Sequence, residues 1–137
     1  IETPKSMALG FVNENPIETN GLLIPMIDAR RREVYMQMFN ANLIHLCPTK
    51  ALVVDRDSFL NYEQYGKIHL FGDGADKFEE LFKEDSQIIV HENFYPSARF
   101  MIRPSLIALK NREFEDIAYF EPYYLKDFIA IKPRNLF

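Results

Sequence analysis

Apolar residues recur at helical spacing in the opening segment, where Thr3 and Pro4 precede Met7, Ala8, Leu9, Phe11 and Val12. A capping residue followed by proline at the first helical position, where its missing N–H costs nothing, predicts a helix there. Asn13 to Asn20, with Pro16 inside it, is turn-rich and closes that helix. The rhythm then changes to a short continuous apolar run, Leu22-Leu23-Ile24-Pro25-Met26-Ile27, flanked by Gly21 and Asp28. Such a run predicts a strand buried on both faces, and Pro25, which cannot donate to a ladder, predicts a bulge or a sheet edge within it.

Past Ala29-Arg30-Arg31-Arg32 the pattern alternates from Glu33 to Phe39, placing Val34, Met36 and Met38 on one face. The two runs form a predicted hairpin with a basic tip. Asn40-Ala41-Asn42 supplies a second turn, and Leu43 to Leu46 followed by Ala51 to Val54 predicts a third, interrupted strand that ends the meander. From there helices and strands alternate: a helix over 57–65 closed by Gly66, a strand over 67–71, a helix over 76–83 bearing Phe78, Leu81 and Phe82, and a strand over 87–91. Alternation of this kind predicts a parallel portion of the sheet. Ser97 is placed to cap a helix running to Asn111, which Pro104 is expected to kink or split. The segment 113–137 has no clear period, but Phe114, Tyr119, Phe120, Tyr123, Tyr124, Phe128 and Phe137 make it too aromatic for a loose end, so it is expected to pack back on the domain.

At 137 residues, 47% hydrophobic, the chain has the size and apolar content of one packed domain and not of a disordered segment. Its single cysteine, Cys47, allows no internal disulfide and points to a reducing, cytoplasmic setting. No apolar run is long enough to span a membrane. The chain begins at Ile1 rather than Met, so an upstream portion is expected. A net charge of −4 argues against a nucleic-acid-binding module with a broad basic face and leaves any RNA contact local.

Few residues carry the pattern of a catalytic site. His45, His69 and His91 are more than about twenty positions apart with no helical His pairing, so a structural role outweighs a metal site. There is no nucleophile elbow, and Cys47 has no base near it in sequence. Gly72-Asp73-Gly74 lies between a predicted strand and a predicted helix, where amides can cradle a phosphate, but without the Lys-Ser/Thr of a P-loop it reads as a tight turn. Arg30-Arg31-Arg32 is the one dense positive cluster; with Asp28 and Glu33 on either side it suits a local salt-bridge lattice, a grip on a partner's carboxylates, or contact with a phosphate backbone.

Taken together, Ile24-Pro25-Met26-Ile27 with Asp28-Ala29-Arg30-Arg31-Arg32-Glu33-Val34-Tyr35, then Phe71-Gly72-Asp73-Gly74-Ala75, Pro96-Ser97-Ala98, and Glu121-Pro122-Tyr123-Tyr124-Leu125-Lys126 resemble, in order and separation, the TsaB family, also called YeaZ. The resemblance spans nearly the whole chain. It implies an α/β lobe of the actin-like ATPase (ribonuclease H-like) fold, a three-stranded meander followed by alternating helices and strands. It further implies a bacterial, cytoplasmic, non-catalytic subunit of the machinery that forms threonylcarbamoyladenosine at position 37 of tRNA, working by binding a TsaD-type catalytic subunit, with a TsaE-type ATPase associated.

Residues 1–137 then correspond to the carboxy-terminal lobe alone, since the aspartate-threonine strand and the glycine-proline-glycine-serine loop of the family's first lobe are not in this sequence. The resemblance places the family's homodimer and its TsaD interface mainly in that other lobe, and assigns this one no catalytic residue, cofactor or metal. Asp28, Arg30, Arg31, Glu33, Tyr35, Gly72, Asp73, Gly74, Glu121, Pro122, Tyr124 and Leu125 are carried over as motif residues and candidate partner contacts. The family's older label, glycoprotease, keeps open the alternative of a peptidase or ATPase completed by the missing lobe. In one place the motif departs: Arg32 stands where the family has glycine, so either Arg32 bears the strain of a positive φ or the turn is of another type.

Overall fold

The structure, a computed structural model, describes residues 1–126. Helix α1 (Thr3–Glu14) leads into strand β1 (Leu22–Asp28), followed by β2 (Glu33–Met36), β3 (Phe39–Asn40), β4 (Lys50–Val53), β5 (Ile68–Phe71), a short helix α2 (Glu79–Phe82), β6 (Ile88–His91) and helix α3 (Ile102–Asn111). The sheet runs β4-β2-β1-β5-β6, with β3 also on β1. The β1-β2-β4 part is the antiparallel meander, and β5 and β6 add in parallel, as the alternating pattern predicts.

The chain therefore has a mixed α/β architecture, the fold class that the sequence predicts. β1 is central and its residues are buried on both faces. Leu22, Ile24 and Met26 face a core closed by Phe59, Phe78 and Phe82. Leu23 faces the other layer, with Met7, Ala8 and Phe11 of α1, Phe39 and Phe71. Phe11 and Phe71 stack at 4.0 Å and 4°. α1 thus sits on the sheet by the stripe its helical spacing creates, running on to Glu14, past the Val12 at which the sequence pattern ends.

Several expectations are corrected. Pro25 lies in the central strand, neither at a sheet edge nor in a bulge, and the ladder explains how. The Ala29 N–H donates to the Glu33 carbonyl at 3.1 Å, which fixes odd-numbered residues of β1 as those bonding toward β2 and β3. Met26↔Met36 and Leu23↔Phe39 share one register, so Pro25 falls opposite Gln37. The missing N–H removes that one rung, and it splits a single antiparallel strand into β2 and β3 while the parallel pairing to β5 continues through Pro25.

The helix expected over 57–65 is only a 3-10 turn, Leu60–Tyr62. The Asp55 carboxylate accepts from Asp57 N–H at 3.1 Å and from the Ser58 hydroxyl at 2.7 Å, so local side-chain bonding takes the backbone away from a helix too short to nucleate well. The expected strand over 43–46 is likewise absent. Asn40 Oδ1 accepts from Asn42 N–H and Ile44 N–H, both at 3.0 Å, and folds that segment into a tight return that touches β3 by one bridge, Phe39↔His45; β4 alone is the third strand. The helix expected over 76–83 is a 3-10 turn, Asp76–Phe78, running into α2.

Ser97 caps its segment through the Arg99 N–H, and the expected split appears as a 3-10 turn, Ala98–Met101, before α3. Pro104 falls in the first turn of α3, where no intrahelical donor is required.

Candidate functional site

The motif residues converge on the base of the β1–β2 hairpin. Gly72 has φ +112°, and a side chain there would put its Cβ 2.2 Å from the Met26 carbonyl oxygen. At Gly74 a Cβ would lie 2.8 Å from the Ile27 carbonyl carbon and 3.0 Å from Val34 Cγ1. The two glycines therefore let the turn after β5 lie flat on the end of β1. Two of its amides are engaged: Gly74 N–H donates to the Met26 carbonyl of β1 (3.1 Å) and Ala75 N–H to the Gly72 carbonyl (2.8 Å). The segment is a tight turn, as the sequence reading favours over a phosphate cradle, with Asp73 exposed beside it.

That turn delivers Lys77, which the sequence reading did not single out. Its ammonium donates to Asp28 Oδ1 at 2.5 Å and to the Glu33 carbonyl at 2.7 Å, clamping both strands of the hairpin. Lys77 holds the Asp28 carboxyl below its ordinary value, helped by the Arg30 N–H that donates to the same oxygen. Lys126 pairs with the Glu33 carboxylate and lies over the Tyr35 ring, 5.9 Å from its centroid. Only the tertiary fold brings Lys126, the last residue of the Glu121–Lys126 motif, to Glu33.

Because lysines take both carboxylates, the salt-bridge lattice, one of the three roles open to the arginines, does not form among the described residues. Arg30, Arg31 and Arg32 are exposed, and none makes an ion pair among the described residues. The left-handed backbone falls on Arg30 (φ 72°) and Arg31 (φ 49°), not on Arg32, so the turn is of a different type from one needing glycine at 32. Glu33 N–H donates to the Arg30 carbonyl and closes it.

Glu121, Tyr124 and Leu125 line a cleft of about 830 Å³ together with Tyr35, while Pro122 stays exposed outside it. Gln37, 2% exposed, also lines this cleft, and its side-chain oxygen has no partner among the described residues. Of the aromatic residues expected to pack back on the domain, Phe114, Tyr119, Phe120, Tyr123 and Tyr124 are largely exposed. Phe128 and Phe137 lie outside the described residues.

A second polar cluster was hidden by sequence distance. β5 and β6 pair with His69 opposite Ile89, so His91, two residues on, shares the face of His69. His69 Nδ1 lies 2.9 Å from His91 Nε2, and His69 Nε2 lies 3.1 Å from the Glu18 carboxylate. A carboxylate only accepts, so His69 Nε2 carries a proton, and a neutral His69 accepts from His91 through Nδ1. Burial first, and the neighbouring His69 second, push His91 down to about 4. Its own backbone N–H first, and His69 second, hold the Glu18 carboxyl below its ordinary value. The partners sit on opposite nitrogens of one ring, so no single ion can be shared by all three. No group of three His, Cys, Asp or Glu suited to a metal occurs among the described residues, and His45 stands apart.

No family profile and no curated protein sequence matches the chain. Among solved structures it resembles a Pseudomonas aeruginosa protein described as an uncharacterized protein with similarity to peptidase YeaZ, with a TM-score of 0.63 and 16% identity over 92% of this chain. The chain has a YeaZ-like fold. The match spans 57% of the length of that Pseudomonas chain. Within the YeaZ-like fold, the hairpin, the Gly-Asp-Gly turn and the Glu121–Lys126 segment meet at one corner of the sheet. No helix among the described residues is long and apolar enough to cross a membrane.

Proposed function

We propose that this chain is a TsaB-like lobe that contributes shape and surface, rather than reactive groups, to the formation of threonylcarbamoyladenosine at position 37 of tRNA, in a protein that binds and activates a TsaD-type catalytic subunit in the cytoplasm. The observation that carries this reading is what the motif residues do: they are engaged in packing and ion pairs within the lobe. Lys77 engages Asp28, Lys126 engages Glu33, and Gly72 and Gly74 serve close packing on β1. A corner built this way presents a fixed hairpin, and its three exposed arginines suit a local contact with the tRNA backbone. TsaE-type association and homodimerisation belong, in this reading, to the full-length protein.

The test is reconstitution of tRNA threonylcarbamoylation from TsaC-, TsaD- and TsaE-type subunits, with and without the protein that carries this lobe. Stimulation that needs it, with co-elution of the TsaD-type subunit, is expected; neither stimulation nor co-elution discards the reading. Arg30→Glu with Arg31→Glu should weaken tRNA binding by the assembled complex in a salt-dependent way and leave assembly intact. Unchanged tRNA affinity removes the hairpin contact.

A second reading, a peptidase or ATPase completed by another lobe, draws on the description of the Pseudomonas protein and on His69, which Glu18 orients as a general base is oriented. Here the next group is His91 and not a hydroxyl or thiol, so the nucleophile would have to come from elsewhere. Proteolysis or ATP hydrolysis by the full-length protein that survives further purification and is lost in His69→Gln would establish it in place of the first.

A further inference from the structure

α3 contacts the domain lightly. Pro104 and Ala108 are half-buried and, with Ile107, line a groove shared with Lys5 and Leu9 of α1, while no residue of α3 is fully buried. At 3.6 residues per turn, Ile102, Leu106 and Leu109 fall within about 60° of one another on the opposite side. They are 61%, 60% and 58% exposed. This inverts the usual amphipathic arrangement: among the described residues Ile102, Leu106 and Leu109 are left largely uncovered, and the smaller Pro104 and Ala108 face the protein.

The flank of this stripe is positive. Arg103 and Lys110 lie on one side of it, about 20° apart around the helix, and α3 holds no acidic residue. Beyond its end, Glu113 is engaged by the Asn111 amide at 2.9 Å. A second copy is a poor cover, because a two-fold antiparallel pairing of α3 with itself sets Arg103 against Lys110 of the other copy. A lipid surface is also a poor cover: the stripe is only three residues long, and Glu113, Glu115 and Asp116 follow it directly.

We propose that the outer face of α3 is a docking surface for an amphipathic helix of another protein, one with apolar residues at i, i+4 and i+7 bordered by carboxylates that meet Arg103 and Lys110. Helix-against-helix packing through such anchors buries the aliphatic stripe, and the charged border sets orientation and partner choice. The inference stands on α3 alone and needs neither functional reading above.

The experiment uses the full chain and two labelled helical peptides of about 20 residues with the same leucine stripe, one bordered by Glu and one by Lys, followed by fluorescence anisotropy. The Glu-bordered peptide should bind at least about tenfold more tightly. Arg103→Glu with Lys110→Glu should reverse that order, and Leu106→Asp should weaken the Glu-bordered peptide by about tenfold or more with circular dichroism unchanged. Equal affinity for the two peptides, or indifference to Leu106→Asp, overturns the proposal. So does self-association in sedimentation, or binding to phosphatidylserine vesicles, that Leu106→Asp abolishes, since a second copy or a lipid surface would then be the cover.

Discussion

Single residues at the hairpin corner show how backbone conformation selects side chains. Gly72 combines a positive φ with a 2.2 Å approach of any Cβ to the Met26 carbonyl, so Gly72→Ala should lower stability by about 2–4 kcal/mol, read by chemical denaturation. Arg30 and Arg31 also adopt left-handed backbone, but in open solvent. Arg31→Gly should therefore raise stability by about 0.5–1 kcal/mol while Arg31→Ala does not, a comparison that isolates the backbone from the lost charge. His91 carries the pH dependence. Its folded value of about 4 lies below the ordinary 6.5, so the unfolded chain binds the proton first on acidification. Stability from this group is full above about pH 6.5, falls as pH drops toward 4 and then levels; because the ring is about half-buried, the loss is discounted to about 1–2 kcal/mol. Thermal melts from pH 7 to pH 4 should show this slope in the wild type and a shallower one in His91→Gln.

Between elements, the coupling runs through few contacts. Lys77 ties the turn before α2 to both strands of the hairpin. Lys77→Met should cost about 1 kcal/mol or less, because the Asp28 side chain is half-exposed, yet it should raise the Asp28 carboxyl pKa, measured by NMR titration. The strands were legible in the sequence because their apolar runs are buried on one or both faces whatever else surrounds them. The segments 43–46 and 57–65 were not, because Asn40, Asp55 and Ser58 side chains bond to nearby backbone and outweigh a weak periodicity. Pro25 was read as an edge signal, but proline costs a strand only on the side its N–H would face, and here that side changes partner from β3 to β2.

At the scale of the whole molecule, the sheet separates two cores: α1 packs on one face, the segments around Phe59, Phe78 and Phe82 on the other, and α3 contributes little to either. Replacing Leu106 and Leu109 together by Lys should accordingly change global stability by no more than about 0.5 kcal/mol while raising solubility, measured by denaturation midpoint and by precipitation threshold. A stability loss of several kcal/mol would place α3 in the fold's own core. Phe11→Ala, at the centre of the stack with Phe71, should by contrast cost about 3–5 kcal/mol.

The amino-acid pattern by itself determined the meander, the switch to parallel strands, and the hairpin and Gly-Asp-Gly turn as one set of motifs, because burial and turn chemistry are local or periodic properties that each segment carries with it. The pairing of Lys77 with Asp28, of Lys126 with Glu33 and of His69 with His91 was decided only in three dimensions. Those contacts join residues 22 to 93 positions apart, and their geometry depends on strand register and on which way a loop returns, neither of which any local stretch of sequence contains.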